Sequence, residues 1–140
     1  MNTYSTSNLV LAKAMTRGEY NTMFGWDTPQ EENPNDEGYL VVCSSRPANH
    51  PDYDSHISWS PKVVFDSTTI NLGRISGRPA YQQRVLAERA ELSKKLDALT
   101  DFLNSNTSPS YVDRGLLHVQ RTTMSNYLHT LDLRIKGFDS

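Results

Sequence analysis

Residues 80–104, AYQQRVLAERAELSKKLDALTDFLN, decide the fold of the C-terminal half of this chain. Apolar side chains recur there at intervals of three, four and seven residues, which places them on one face of an α-helix. The residues of this stripe are Val85, Leu92, Leu96, Leu99 and Leu103. Charged residues surround the stripe, so the pattern predicts an amphipathic helix with Pro79 in its first turn.

A second apolar stripe follows the turn-rich segment at positions 104–109. Either Ser108 or Ser110 is suited to cap the start of this second helix, and Gly137 is suited to end it. The stripe consists of Leu117, Met124, Leu128, Leu131, Ile135 and Phe138. Because the segment between the helices is short, they are predicted to form an antiparallel hairpin over residues 80–140.

A hairpin of this size cannot bury both stripes by itself. Folds below about 70 residues usually depend on disulfides, a metal or association for their stability. Cys43 is the single cysteine of the chain, so neither a disulfide nor a multi-cysteine metal site can form within it. Further apolar residues widen the apolar surface beyond one seam, namely Tyr81, Leu86, Phe102, Leu116 and Tyr127. We therefore predict a homo-oligomer built through the hairpin.

The N-terminal half has a different pattern, in which Gly, Pro, Asn and Asp crowd positions 25–54. Between and after these turns, residues 38–43 (GYLVVC) and 56–60 (HISWS) contain β-branched and aromatic side chains. Short segments of this kind, bounded by turn residues, are typical of β-strands. The pattern predicts two strands that pair as a small hairpin.

Two short helices are predicted beside these strands. Thr16 is suited to cap a helix over Arg17 to Phe24, because its hydroxyl can accept a hydrogen bond from a free backbone N–H. Ser60 and Pro61 offer a cap and a first-turn proline for a second helix that begins near Lys62. Together with the strands, these helices predict a compact α+β module.

The whole chain is therefore predicted to be an α+β protein, with a small module at residues 1–70, a linker at 71–79 and the hairpin at 80–140. Its formal net charge of −2 conceals two parts of opposite sign. Positions 1–77 carry nine acidic and five basic residues, whereas positions 78–140 carry seven acidic and nine basic ones. The basic excess is too small for binding duplex nucleic acid and suits a small anionic ligand better.

Composition excludes other classes. No stretch approaches the roughly 18 to 20 consecutive apolar residues of a membrane span, and the first residues lack the pattern of a signal peptide. The lone Cys43 favours a reducing compartment, where disulfides are rare. We therefore expect no membrane partner.

The sequence offers no catalytic arrangement. Its four histidines are scattered, no serine or cysteine can be matched with a base, and no glycine-rich phosphate loop is present. His50, Asp52, Asp54 and His56 alternate along the chain and could hold a metal ion, although a polar turn-rich loop explains them better. We expect a binding protein that is not an enzyme, without catalytic residues, metal or cofactor.

The strongest candidate for a binding site is the start of the first hairpin helix. Tyr81 and Arg84 share one helix face there, and a helix N-terminus adds partial positive charge and free N–H groups. An aromatic ring that stacks on a base, beside a guanidinium that binds phosphate, suits a small nucleotide. In the alternative, Tyr81 packs at an oligomer interface and the arginines form ion pairs with Glu88, Glu91 or Asp97.

A resemblance to a known family supports a small nucleotide as the ligand. The matching residues are the run PAYQQRV at 79–85, Glu88, Glu91, Leu92, Lys95, Leu99, Phe102, Met124, Tyr127, Leu131, Arg134, Ile135 and Phe138. In these residues the segment resembles the helical-hairpin domain of phage anti-CBASS and anti-Thoeris sponge proteins. Residues 104–114 depart from it, because they lack the usual Leu-Pro-Glu opening of the second helix.

The N-terminal half resembles a small module that is often found at the front of phage proteins. The matching stretches are MTRGEYN at 15–21, GW at 25–26, NPNDEGYLV at 33–41, NHP at 49–51 and ISWSPK at 57–62. This resemblance implies a phage protein and defines no activity for the module.

The hairpin resemblance implies a homohexamer that binds cyclic dinucleotides, and in many cases cyclic trinucleotides, between protomers without cleaving them. The host defence enzyme then lacks its activating signal, so the protein would act against CBASS in the cytoplasm of the infected bacterium. By motif, Tyr81 would stack on a base. Lys95 or its neighbour Lys94 would cover the base or neutralise phosphate from another chain.

The same resemblance implies further contacts. Arg84 and Arg134 would bind phosphate, and Gln82 would contact a base or a phosphate. Two alternatives stay open, of which one is a sponge for cyclic ADP-ribose-type Thoeris signals. The other is a structural or adaptor protein whose hairpin only multimerises the N-terminal module.

Overall fold

The computed structural model describes residues 1–6, 8–105 and 110–139. Internal contacts divide the chain into two compact units, Met1–Thr69 and Ile70–Ser140. We call them the N-terminal unit and the hairpin unit and describe each by itself.

The N-terminal unit combines short strands and short helices. Its elements are β1 (Leu11–Ala14), α1 (Arg17–Met23), β2 (Gly38–Cys43), β3 (His56–Pro61) and α2 (Lys62–Thr68). Among the described residues, the three strands form an antiparallel sheet in the order β1-β2-β3. The predicted pairing of residues 38–43 with residues 56–60 is thus confirmed, and so is the α+β class.

The core of this unit lies between α1 and the sheet. Tyr20, Leu40 and Ile57 are buried together, with six partly buried side chains packed against them: Met15, Met23, Phe24, Val42, Tyr53 and Trp59. Gly38 is required beside this core, because a Cβ atom there would lie 2.4 Å from the Trp59 ring and from the Ser60 carbonyl oxygen.

The predicted cap of α1 is confirmed, and α2 begins at Lys62 as predicted, whereas the predicted Ser60 cap and the first-turn position of Pro61 are wrong. The Thr16 hydroxyl accepts a hydrogen bond from the Glu19 N–H at 3.2 Å. Pro61, by contrast, has an extended backbone with ψ 142° and precedes the helix, and the Ser60 side chain caps no N–H of α2. The reason is that Ser60 and Pro61 still pair with β2 and so remain part of β3.

The hairpin unit consists of α3 (Ala80–Asn104), α4 (Tyr111–Lys136) and a 3₁₀ turn (Gly137–Asp139). Bonds between the two helices show that they run antiparallel, as predicted. Near the loop, the Arg114 guanidinium donates to the Leu103 carbonyl oxygen at 2.7 Å. Nearer the other end, Arg89 Nε lies 2.9 Å from Asp132 Oδ1.

The ends of these helices mostly follow the sequence signals. Ser110 caps α4, since its hydroxyl accepts from the Asp113 N–H, and Gly137 follows the last residue of α4. The alternative cap, Ser108, lies outside the described residues. Pro79 is one position earlier than predicted, because its extended ψ of 147° makes it the cap position and the helix begins at Ala80.

Both predicted stripes face the seam between α3 and α4. Every residue of the two stripes is buried or partly buried, and Val85, Leu103 and Leu131 are the most buried. Many large apolar side chains of the unit remain exposed: Tyr81, Phe102, Tyr111, Val112, Leu116, Val119, Tyr127 and Leu133. None of the described helices has the length and apolar content that crossing a membrane requires.

Candidate functional site

The start of α3 and the end of α4 lie side by side, and the ring of Tyr81 marks this end of the hairpin. Tyr81 meets Phe138 edge to face, with ring centroids 5.8 Å apart and an interplanar angle of 88°. The Tyr81 side chain is nevertheless 51% exposed. Phe138 therefore supports the Tyr81 ring on one part of its surface, and about half of the side chain remains exposed.

Gln82 lies beneath this ring and is only 8% exposed. Its Nε2 donates to the Tyr81 hydroxyl at 3.2 Å, and its Oε1 accepts from Arg78 Nη1 at 3.3 Å. Both ends of the Gln82 amide are thus used inside the protein. The adjacent Gln83 also bonds within the protein, since its Nε2 donates to the Arg78 carbonyl oxygen at 2.8 Å.

Arg84 and Arg134 supply positive charge near the ring. Arg84 follows Tyr81 by one turn of α3, Arg134 lies in the last turn of α4, and both are exposed. Within the part of the chain that the structure describes, neither forms an ion pair with a carboxylate. Of the arginines at the start of α3, Arg78 and Arg89 form ion pairs with Asp139 and Asp132, and among the described residues none of these arginines pairs with Glu88, Glu91 or Asp97.

Glu88 and Tyr127 also belong to this region, although neither was predicted as a site residue. The Tyr127 hydroxyl donates a short hydrogen bond to the Glu88 carboxylate. This bond is the main reason that the pKa of Tyr127 is raised above its ordinary value, and the positive charge of Arg134 acts in the opposite direction. That opposing effect places Arg134 close enough to Tyr127 to influence it.

These side chains lie on one flank of the hairpin. On α3, Tyr81, Arg84 and Glu88 are spaced by three and four residues, so they share a helix face. On α4, Arg134 follows Tyr127 by seven residues and shares a face with it in the same way. The Glu88–Tyr127 bond joins the two faces. The resulting flank offers an aromatic ring, one carboxylate and two guanidinium groups that form no ion pair with any described residue.

Lys94 and Lys95 are exposed and form no ion pair among the described residues. Lys95 follows Tyr81 by fourteen residues and shares its helix face, whereas Lys94 points about 140° away from Tyr81. Because each residue adds about 1.5 Å along a helix, Lys95 lies about 20 Å from Tyr81. A single hairpin therefore does not bring Tyr81 and Lys95 together.

The N-terminal unit offers less for an anionic ligand. A shallow concavity of about 290 Å³ is lined by Thr16, Glu19, Glu37, Tyr39 and Lys62 among others. Among the described residues that line it, Lys62 is the one cation, and the Lys62 ammonium is already paired with the Asp66 carboxylate at 2.7 Å. The remaining charges of this concavity repel anions.

The segment that suggested a metal has its own hydrogen bonds. His50 Nε2 lies 2.9 Å from the Met23 carbonyl oxygen, and His50 Nδ1 accepts from the Asp52 N–H at 3.1 Å. Both ring nitrogens of His50 are therefore engaged. Over residues 1–6, 8–105 and 110–139, no three His, Cys, Asp or Glu side chains are grouped as metal ligands.

Comparison with known families and structures concerns the hairpin alone. Residues 79–137 match the model of the family described as Sequestin. The matched residues begin at the cap of α3 and end just after α4, so they span the flank that carries Tyr81, Arg84 and Arg134. The family name fits a protein that sequesters another molecule. No curated protein and no solved structure matches the chain.

Proposed function

We propose that this protein is a phage counter-defence protein that binds cyclic oligonucleotide immune signals and holds them without cleaving them. Cyclic dinucleotides are the preferred class in this proposal, with cyclic trinucleotides as further ligands. Sequestration in the cytoplasm of the infected bacterium would deprive the CBASS effector of its activating signal. The match of the hairpin to the Sequestin family supports sequestration as the mode of action.

One observation carries the choice of ligand. Tyr81 presents a half-exposed ring, and Arg84 and Arg134 on the same flank have no carboxylate partner among the described residues. A base that stacks on Tyr81 gains contact area over the ring. Phosphates beside it gain charge-assisted hydrogen bonds from the guanidinium groups. A cyclic dinucleotide combines both chemical features in a small ligand.

We propose further that the protein works as a homo-oligomer, with six copies as the preferred number. The exposed apolar residues of the hairpin provide the surface for association. Contact between copies is also what the placement of Lys95 calls for, because this lysine is about 20 Å from Tyr81 in its own chain. In the oligomer, Lys95 or Lys94 of one copy would cover a ligand stacked on Tyr81 of another.

Sequestration requires tight binding and no chemistry. The dissociation constant must lie below the concentration of the signal, so nanomolar affinity is expected, which corresponds to about −12 kcal/mol per site. Hairpin helices that are ordered before binding favour such affinity, because little conformational entropy is then lost. The ligand should be recovered intact after the complex is denatured by heat.

Calorimetry with a panel of cyclic dinucleotides, cyclic trinucleotides and cyclic ADP-ribose isomers tests the proposal. We expect the wild type to bind a cyclic dinucleotide with nanomolar affinity and Tyr81→Ala to bind roughly tenfold to a hundredfold more weakly, because one base stack is lost. Tyr4→Ala is the matched control, since Tyr4 is an exposed tyrosine of the N-terminal unit. Absence of binding across the panel at micromolar protein would overturn the proposal, and tight binding of a cyclic ADP-ribose isomer alone would favour the Thoeris alternative.

A further inference from the structure

We propose that the 3₁₀ turn Gly137–Asp139 clamps the ring of Tyr81 in its stacking position, with Phe138, Asp139, Arg78 and Gln82 as positioning residues. This inference rests on the proposed function, because it concerns the same ring. It adds a set of residues that would act on ligand affinity without touching the ligand.

Phe138 is the first part of the clamp. Its ring meets the Tyr81 ring edge to face at a centroid distance of 5.8 Å, which is the favoured geometry for two aromatic side chains. Phe138 is partly buried at the end of the α4 stripe. The contact restricts the directions in which the Tyr81 ring can turn and leaves about half of its surface open.

The second part is a chain of hydrogen bonds that ends at the Tyr81 hydroxyl. Asp139 Oδ1 lies 3.3 Å from Arg78 Nη1, and the same Nη1 donates to Gln82 Oε1 at 3.3 Å. Gln82 Nε2 then donates to the Tyr81 hydroxyl at 3.2 Å. Because Gln82 is buried, it transmits the position of Arg78 to the phenol without being displaced by solvent.

The hydrogen-bond chain can be tested separately from folding, because its ion pair contributes little to stability. The Arg78–Asp139 ion pair is more than one third exposed on both sides, and exposed pairs contribute little to stability. Loss of the Asp139 carboxylate should therefore leave the hairpin folded. A ring that is no longer held must be ordered on binding, and ordering one side chain costs roughly threefold to tenfold in affinity.

The protein also offers a matched control for the loss of the Asp139 carboxylate. Asp132 on α4 forms a comparable exposed ion pair with Arg89 on α3, at 2.9 Å. In the described part of the chain, that pair forms no hydrogen bond with Tyr81, Gln82 or Phe138. Asp139→Ala and Asp132→Ala thus remove the same group from two similar ion pairs, of which only one leads to the ring.

The experiment is a double-mutant cycle in the full chain, measured by calorimetry with the cyclic dinucleotide that binds the wild type most tightly. The variants are Asp139→Ala, Tyr81→Phe and the double variant, with Asp132→Ala as control. Tyr81→Phe keeps the stacking ring and removes the hydroxyl that accepts the last hydrogen bond, from Gln82. Each of the two single changes should weaken binding about threefold to tenfold, and the double variant should bind no more weakly than Tyr81→Phe. Asp132→Ala should bind like the wild type.

Two results would overturn the clamp and leave the proposed function in place. One is wild-type affinity in Asp139→Ala. The other is full additivity of Asp139→Ala and Tyr81→Phe, which would show that the carboxylate acts through general stability and independently of the hydroxyl. If the wild type binds no member of the panel, the proposed function itself fails.

Discussion

The hydroxyl of Tyr127 on α4 donates a hydrogen bond to the carboxylate of Glu88 on α3, which lies 39 residues earlier in the sequence. The bond joins the two helices on the flank that carries Tyr81 and Arg84. It also holds a carboxylate on the helix face that carries Arg84. The titration of Tyr127 therefore reports whether this flank is assembled.

Tyr127→Phe should remove a late-titrating tyrosine from the alkaline absorbance curve. The bond to Glu88 stabilises the neutral phenol in the folded protein and so raises the pKa of Tyr127. Its contribution to stability is complete below the ordinary tyrosine pKa of about 10, and it is lost as the pH rises through the raised value. Tyr20, whose pKa is raised by burial, titrates late in both proteins.

The measurement is the difference between the wild-type and Tyr127→Phe phenolate absorbance curves. A midpoint above 10 is expected, and Glu88→Gln should lower it because the acceptor loses its charge. A difference curve centred on the ordinary tyrosine value would mean that the Glu88–Tyr127 bond does not form in solution.

Leu131→Ala should strongly destabilise the hairpin. Leu131 is fully buried in the seam between the helices, and truncation of a buried leucine to alanine typically costs 2 to 5 kcal/mol, here about 3. His129→Ala is the control on the same helix, since the His129 side chain is exposed and alanine favours helix. Chemical denaturation followed by circular dichroism at 222 nm measures both. Equal midpoints for the two variants would contradict the packing of this seam.

Gly38→Ala should unfold or severely destabilise the N-terminal unit, because the added Cβ would overlap the Trp59 ring and the Ser60 carbonyl oxygen. Both tryptophans, Trp26 and Trp59, belong to this unit, so their fluorescence reports its unfolding. Gly115→Ala is the opposite control. Gly115 lies within α4, and a Cβ atom added there would meet no neighbouring atom within 4 Å. The change should therefore stabilise the hairpin by about 0.5 to 1 kcal/mol.

A wild-type fluorescence transition in Gly38→Ala would show that β2 and β3 are not as close as the structure places them. For Gly115→Ala, the circular dichroism transition at 222 nm should move to higher denaturant, while the fluorescence transition stays unchanged.

The fold could largely be predicted from the sequence because its helices carry long periodic stripes. Each stripe of the hairpin extends over more than five turns, so local exceptions do not obscure the period. β1 was missed because it has only four residues, all exposed, and exposed residues leave no alternation of burial to detect. Pro61 and Pro79 were predicted one position too far into their helices for another reason. A proline fixes φ but not ψ, so it marks the start of a helix only to within a residue.

The site could be predicted only in part. Helix spacing alone placed Tyr81 and Arg84 together, since both lie on one element. The bonds of Gln82 to Arg78 and of Glu88 to Tyr127 depend on side-chain orientation and on the register between the helices, which no spacing rule encodes. Their only signal in the sequence was that Gln82, Glu88 and Tyr127 belong to the residues that carry the resemblance.

Leu116→Arg should weaken self-association without unfolding the hairpin. The Leu116 side chain is exposed on α4, so a charge there costs a single hairpin little, whereas burial against a second copy would be strongly opposed. Val63→Arg is the control, because Val63 is an exposed apolar residue on α2 of the N-terminal unit. Sedimentation equilibrium should give a multiple of 15.8 kDa for the wild type and for Val63→Arg, and a lower mass for Leu116→Arg.

If Lys95 completes the Tyr81 site from another copy, Leu116→Arg should also lose ligand affinity. A Leu116→Arg protein with wild-type mass would place the interface elsewhere on the hairpin, and a monomeric wild type would overturn the oligomer altogether.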